Sequence, residues 1–380
     1  MPVPDMRTSM PSPRFAPLIA GLPATVPFVG PEAQERMRGR PFRARIGANE
    51  SVFGPSPRAI EAMCAAAAQS WMYGDPEMHD LKAAIARHHG IAPDNVAVDS
   101  GIDALLGLAV RMTVEPGQAV VTSAGAYPTF NYHVDGFGGR RVGVPYAGDR
   151  EDPEALLAAA RQEQAPLVYF ANPDSPMGSW WGAADVQRLI DGVPGGTLLI
   201  VDEAYSDTAP AAAIPPLDVS NPSVLRMRTF SKAYGMAGVR VGYVIGEAGV
   251  IKAFDKVRNH FDVSRIAQAG AIAALGDQPY LQGVVSSIAR ARARIGEIAK
   301  DSGLAALPSA TNFVAIDCGR DGAHARRVLA ALVARDVFVR MPGVAPLDRC
   351  IRVSVGTDAD LAIFAEELPG ALAAAADSRS

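Results

Sequence analysis

Lys232 stands in the run Arg228-Thr229-Phe230-Ser231-Lys232-Ala233-Tyr234-Gly235, where a strand-like apolar stretch ends in hydroxyl residues and one lysine. A Gly-punctuated loop follows, and Arg240 lies at the opening of a second strand-like run, Val239 to Ile245. A desolvated lysine is a nucleophile toward carbonyl carbon and forms Schiff bases. Arginine offers a rigid fork of donors that matches a phosphate. Lysine, hydroxyls and arginine in this spacing suit a phosphorylated aldehyde held covalently, for which pyridoxal 5′-phosphate is the candidate. The plain alternative is a solvated loop lysine and a surface ion-pair arginine, since charged side chains are mostly exposed.

Other polar residues sit in comparable positions. Asn172, Asp202 and Tyr205 each follow a short apolar run, as Lys232 does. Val96 to Asp99 runs into Ser100-Gly101-Ile102-Asp103 and then an apolar helix, Ala104 to Met112. Glycine at such a junction lets backbone N–H groups converge on an anion, with the helix dipole assisting.

The elements that must position these residues alternate in kind. Strands are expected at Ala119 to Ser123, Arg140 to Pro145, Leu167 to Ala171, Thr197 to Val201 and Val224 to Met227. Helices are expected at Pro57 to Gln69, His79 to His89, Asp152 to Gln162 and Ala183 to Ile190. The pattern predicts an α/β fold with a mostly parallel open sheet flanked by helices, in which ligands bind at the carboxyl ends of strands. After about Phe261 the texture changes. A long helix, Tyr280 to Lys300, leads to strand Asn312 to Ile316, helix Ala323 to Ala334, strands Val337 to Arg340 and Cys350 to Ser354, and helix Asp360 to Leu368. The expected division is therefore an N-terminal arm (1–45), a large domain (46–262) and a smaller α+β domain (263–380). The arm, rich in Pro and Arg, is expected to lie over the body or a partner subunit, or to be a partly disordered terminus.

The bulk numbers narrow the class. The chain has 380 residues, 49% hydrophobic and 20% charged, enough for a large core. A net charge of -4 provides no basic footprint for nucleic acid. No apolar run approaches the roughly 20 residues of a membrane helix. Cys64, Cys318 and Cys350 are scattered and odd in number, which suggests neither a disulfide framework nor a metal cluster and makes the cytoplasm the expected compartment.

Asp202-Glu203-Ala204-Tyr205 and Thr229-Phe230-Ser231-Lys232, with the glycine junction upstream, carry a family likeness. The chain resembles the fold-type I, pyridoxal-phosphate-dependent aminotransferases of class I/II, and within them histidinol-phosphate aminotransferases, from about Ile46 to about Leu368. The resemblance implies that Lys232 bonds the cofactor aldehyde and then shuttles the substrate proton. On the same resemblance Asp202 would pair with the pyridine nitrogen, Tyr205 and Asn172 would contact the phenolic oxygen, and Gly101, Ile102, Asp103, Thr229, Ser231 and Arg240 would hold the phosphate. Pro128-Thr129-Phe130 matches the segment that supplies a ring stacked on the cofactor, making Phe130 the candidate and Tyr127 the alternative. Tyr73 matches a tyrosine that reaches the neighbouring subunit's cofactor, which implies a homodimer with a shared active site. Arg352 matches an arginine that grips a substrate carboxylate, Arg340 one for a substrate phosphate, and Asn49 a residue near the substrate. The reaction implied is a two-step transfer from an amino donor, histidinol phosphate first, to 2-oxoglutarate.

The sequence departs from the family at the substrate end. Asn172-Pro173-Asp174-Ser175-Pro176-Met177-Gly178 replaces the usual Asn-Pro-Asn-Asn-Pro-Thr-Gly, and Asn49-Glu50-Ser51-Val52 replaces Asn-Glu-Asn-Pro. These changes leave open an aromatic or other amino-acid donor. A lyase resembling threonine-phosphate decarboxylase and an oxidase of the same fold also remain. A DNA-binding regulator built on this body would need a longer leader domain than residues 1–45.

Overall fold

The computed structural model describes residues 13–24 and 29–377; the rest of the expected arm, residues 1–12 and 25–28, lies outside the described residues. Among the described residues there are twelve strands. A two-residue strand β1 (Ala44–Arg45) precedes β2 (Val96–Asp99), β3 (Ala119–Ser123), β4 (Arg140–Val144), β5 (Leu167–Ala171), β6 (Leu198–Asp202), β7 (Val224–Thr229) and β8 (Gly242–Ile245). Beyond them come β9 (Ala305–Ala306), β10 (Phe313–Asp317), β11 (Val337–Phe338) and β12 (Cys350–Ser354).

Strands β2 to β8 form one seven-stranded sheet in the order β2-β8-β7-β6-β5-β3-β4. Only β8 runs antiparallel to its neighbours. The inner strands β3, β5 and β6 are buried along their whole length. They read as continuous apolar runs because helices cover both faces of a parallel sheet. The helices start where local chemistry dictates. Ser56 accepts the backbone N–H of Ala59 ahead of Pro57, and Asp152 accepts those of Glu154 and Ala155 ahead of Pro153. A side-chain acceptor and a proline at the first helical position satisfy the orphaned donors of a helix start.

Five helices among the described residues, Pro17–Gly21, Pro31–Arg38, Pro128–Gly136, Ala248–Ala253 and Arg265–Leu275, lie outside the expected ones, each short or weakly patterned. Pro128–Gly136 carries Tyr, His and Asn among its apolar positions, and Arg265–Leu275 is mostly Ala and Gly. The change of packing also falls later than the change of sequence texture. Val263, Ala267, Ala271 and Leu281 pack with Val96 and Tyr243 of the large sheet, whereas Val284 and Ile288 pack with β10 and β12. The two cores therefore meet within the helix Gln278–Asp301 rather than near residue 262. The described part of the arm is docked at its end: β1 pairs in parallel with β11, and Arg38 and Arg40 both bond Asp336.

Behind the carboxyl edge of β6, Glu203 is buried and accepts hydrogen bonds from Arg226 and from Arg228 Nε at 2.8 Å. Burial pushes this carboxyl up, but Arg228 and Arg226 more than offset it and hold Glu203 below the usual range. The cluster ties β6 to β7 one residue beyond Asp202. Among the described residues no helix is long and apolar enough to cross a membrane.

Glu203→Gln strands two buried guanidinium groups and should cost about 3–5 kcal/mol. Glu366→Gln, which breaks an exposed pair with Arg43, should cost at most about 1 kcal/mol. Urea unfolding of the two variants separates these outcomes.

Candidate active site

One cavity of about 1170 Å³ opens at the carboxyl edge of the large sheet, and the β10–β12 unit closes its other wall. Lys232 borders it and is its only lysine; Nζ donates to the Asn49 carbonyl at 3.3 Å. Nζ also lies 5.5 Å from the centre of the Tyr205 ring. Asp202, at the end of β6, forms part of the lining. Its Oδ2 accepts from the Tyr169 hydroxyl at 2.7 Å and its Oδ1 from the Ala204 N–H at 2.9 Å. Burial pushes Asp202 up to about 6, against the pull of these two donors.

Asn49 joins the walls. Its side-chain amide donates to the Tyr205 hydroxyl at 3.1 Å, and its N–H donates to Ser354 Oγ at 2.9 Å. Ser354 Oγ returns a bond to Asn49 Oδ1 at 3.0 Å, and Asn312 donates to the Asn49 carbonyl at 2.9 Å. Lys232, Tyr205 and two residues of the C-terminal unit thus converge on this one residue, whose backbone is left-handed at φ 56°. Tyr205 in turn packs edge-on against Phe313 of β10.

At the other end of the cavity lies an anion cradle. Ile102 and Asp103 open the helix Ile102–Thr113, and Gly101 precedes it at φ 95°. A Cβ on Gly101 would stand 2.5 Å from Arg240 Nη2. Arg240 Nη1 donates to Ser231 Oγ at 3.3 Å, and its Nη2 lies 3.7 Å from Asp103. Thr229 Oγ1 accepts the Ser231 N–H at 3.0 Å and so shapes the bend before Lys232. Arg240 is also left-handed, at φ 58°, a conformation that costs an ordinary side chain of order 1–3 kcal/mol and clusters at functional sites.

Two expected contacts are not at the cavity. Asn172 turns away from it: its Nδ2 donates to the carbonyls of Ala213 (2.9 Å) and Trp181 (3.2 Å), and its Oδ1 accepts the Trp181 N–H at 2.8 Å. Every hydrogen-bonding direction but one is spent on the loop, and Pro173, Ser175 and Pro176 face the cavity instead. Phe130 is fully buried and stacked on Tyr169 with centroids 4.6 Å apart, inside the core. Tyr127 lines the cavity in its place and donates to Asp103 Oδ1 at 2.7 Å. Proline at 128 starts the helix there, and Tyr127 before it faces the opening beside Pro128, Thr129 and Asn131. Tyr73 is 74% exposed and stacked on Phe261, outside the cavity of its own chain.

Arg340 and Arg352 stand together on the opposite wall, their backbones paired through Arg340 N–H to Arg352 O (3.1 Å) and the reverse (2.6 Å). Arg352 has no ion-pair partner among the described residues. Its guanidinium lies 5.1 Å from the Phe313 ring centre, and burial lowers it to about 10. Burial lowers Arg340 too. Sequence reasoning missed Tyr169, which holds Asp202. A tyrosine within the otherwise aliphatic run Leu167–Ala171 was the available signal, because a buried hydroxyl needs a partner.

These features fit pyridoxal phosphate on their own terms: a cradle that a Cβ would fill, a helix start for the phosphate, a buried carboxylate for a ring nitrogen, and one lysine between them. The comparisons with known proteins agree. The aminotransferase class I and II family matches residues 45–368. The crystal structure of histidinol-phosphate aminotransferase from Sinorhizobium meliloti in complex with pyridoxal-5′-phosphate is 57% identical, with a TM-score of 0.92 over 95% of this chain and 98% of that one. Histidinol-phosphate aminotransferase 1 of Mesorhizobium japonicum is 33% identical over 83% of this chain and 87% of its own. The corresponding enzyme of an Anaeromyxobacter species is 34% identical over 90% and 95%. The chain belongs to the class I and II aminotransferases. It is a pyridoxal-phosphate-dependent enzyme of fold type I.

Gly101→Ala forces both a left-handed alanine and a contact with Arg240. The strain of about 1–2 kcal/mol should weaken cofactor binding on the order of tenfold, read by equilibrium dialysis. Unchanged affinity would move the phosphate away from this cradle.

Proposed function

We propose that this enzyme moves the amino group of histidinol phosphate to 2-oxoglutarate in two half-reactions. The observation that carries the reading is the backbone-paired Arg340 and Arg352 across the cavity from Lys232. Two guanidinium groups on one wall suit a donor that carries a phosphate and an acceptor that carries carboxylates. Relatives bearing that name at 30–34% identity add support.

Bound pyridoxal phosphate supplies an aldehyde that takes the amino group and a ring that draws electrons from the bond being broken. The chain does the rest. Lys232 holds the cofactor and afterwards moves the proton at the substrate Cα. Asp202, fixed by Tyr169 and Ala204, keeps a proton on the ring nitrogen. Tyr205, oriented by Asn49, and Ser175 face the phenolic side, and Tyr127 supplies the flanking ring. Gly101, Ile102, Asp103, Ser231 and Arg240 bind the phosphate. Arg352 grips the acceptor carboxylate and Arg340 the donor phosphate.

The functional unit in this reading is a cytoplasmic homodimer. Trp71 (82% exposed) and the stacked pair Tyr73 and Phe261 are exposed apolar side chains of the kind that mark an interface, and Tyr73 would reach the partner's cofactor. The body between residue 46 and the long helix carries the cofactor, and the C-terminal unit carries the substrate arginines.

Two experiments decide these points. Lys232→Ala should abolish turnover and the adduct trapped by borohydride, and a trapped adduct on another lysine would overturn the assignment. Mixing the holoenzyme with histidinol phosphate should change the cofactor absorption rapidly, with phenylalanine slower by a factor of 100 or more, about 2.7 kcal/mol of discrimination. Conversion by phenylalanine alone would make the enzyme an aromatic aminotransferase.

A further inference from the structure

The departure at Asp174-Ser175-Pro176-Met177 builds something the mechanism above does not use. Asp174 and Glu151 are both buried, at 2% and 1% exposure, and neither has an ion-pair partner among the described residues. They are hydrogen-bonded to each other. Glu151 Oε2 accepts from Ser123 Oγ at 2.7 Å and its Oε1 from the Ala171 N–H at 3.1 Å. Asp174 Oδ1 accepts from the Tyr146 hydroxyl at 2.8 Å and its Oδ2 from the Met177 N–H at 3.2 Å. Two touching carboxyls in a dry site cannot both ionise, so at least one proton is shared between them.

The pair lies directly behind the substrate end of the cavity. Ser123, Pro173 and Ser175, which flank it, line that cavity, as does Arg352. The loop it holds also meets the arginine's strand. Met177 packs with Ala315, Leu347 and Cys350, and Ala315 is the register partner of Arg352. Asp174 and Arg352 attract each other across this seam. Arg352 also faces Phe313, the hydroxyls of Tyr205 and Tyr127, and the like charge of Arg340.

We propose that the Glu151–Asp174 pair is the buried counter-charge of Arg352 and takes up a proton from solvent when a substrate carboxylate binds that arginine. An incoming carboxylate neutralises the guanidinium. The negative charge left on the pair then has no compensation in a low-dielectric site, and a proton from buffer joins it. The positioning role belongs to both acids, since each holds the other's proton.

The titratable groups facing the pair leave it as the one that changes. Tyr146 and Tyr169 are pushed up by burial and stay neutral around pH 7. Arg352 stays charged, and Arg150 lies over the Trp181 ring. Burial raises Asp174 to about 7 and Glu151 well above the carboxylate range. The sign follows: carboxylate affinity is greatest where the pair is fully protonated and falls as pH rises through the Asp174 value.

The proposal rests on Arg352 as the carboxylate clamp, and the test separates the two. Maleate, a dicarboxylate with no amino group to transfer, is titrated into the holoenzyme by calorimetry at pH 7.5 in buffers of different ionisation enthalpy. The wild-type enzyme should take up about half a proton more than Asp174→Asn. Its maleate affinity should fall by up to tenfold per pH unit above 7, a slope that flattens in the variant. Glu151→Gln, which keeps acceptors for Ser123 and Ala171, should behave alike and serves if Asp174→Asn does not fold. A purely structural role would weaken maleate binding at every pH and leave the proton count as it was, which overturns the proposal. Failure of maleate to bind at all removes the clamp reading, and this proposal with it.

Discussion

A carboxylate without a directly bonded cation, buried at the end of a parallel strand, is the constraint around which this molecule is built. Asp202 lies where β6 ends, under a cavity, with a tyrosine hydroxyl, one backbone N–H and the more distant charge of Lys232 to support it. Burial alone drives it toward the neutral acid. The surroundings answer that cost in layers. Tyr169 comes from the neighbouring strand β5 and is itself braced by Phe130. One residue further along, Glu203 locks β6 to β7 through two arginines. The sheet edge is held rigid where a cationic ring nitrogen would complete the pair.

The opposite wall is joined to this edge through few atoms. Asn49 bonds residues from both halves, Lys232 and Tyr205 on one side and Ser354 and Asn312 on the other. Met177 fills an apolar seam between the same halves where the usual loop carries threonine. The substrate arginines therefore reach the cavity on a unit whose contact with the cofactor side is partly polar and partly packed.

Much of this was legible beforehand, and for physical reasons. Parallel strands buried on both faces leave unbroken apolar runs, so the sheet and the polar residues at its edge could be read directly. Spacing also located Lys232, Asp202, Tyr205 and Arg240 at one cavity. It failed where side-chain direction decides. Asn172 and Ser175 are three residues apart in one loop, and nothing in their order says which turns inward; the backbone donors and acceptors of Trp181 and Ala213 decide it. Phe130 and Tyr127 differ in the same way, through the turn that precedes a proline-started helix. The Glu151–Asp174 contact joins residues 23 positions apart with the helix Pro153–Glu163 and β5 between them, and no pattern of either residue alone announces it.

The pairing of Ala44–Arg45 with Val337–Phe338 bears on how the polypeptide assembles during synthesis. A segment made before the large sheet pairs with a strand made after it, across nearly 300 residues of sequence. The cofactor-binding body between them is continuous in the chain and has its own cores, so it can collapse as a unit while the first strand still waits for its partner. Closing that long loop must wait until β11 has been made, and β1 ties together the two flanks of the cofactor-binding body.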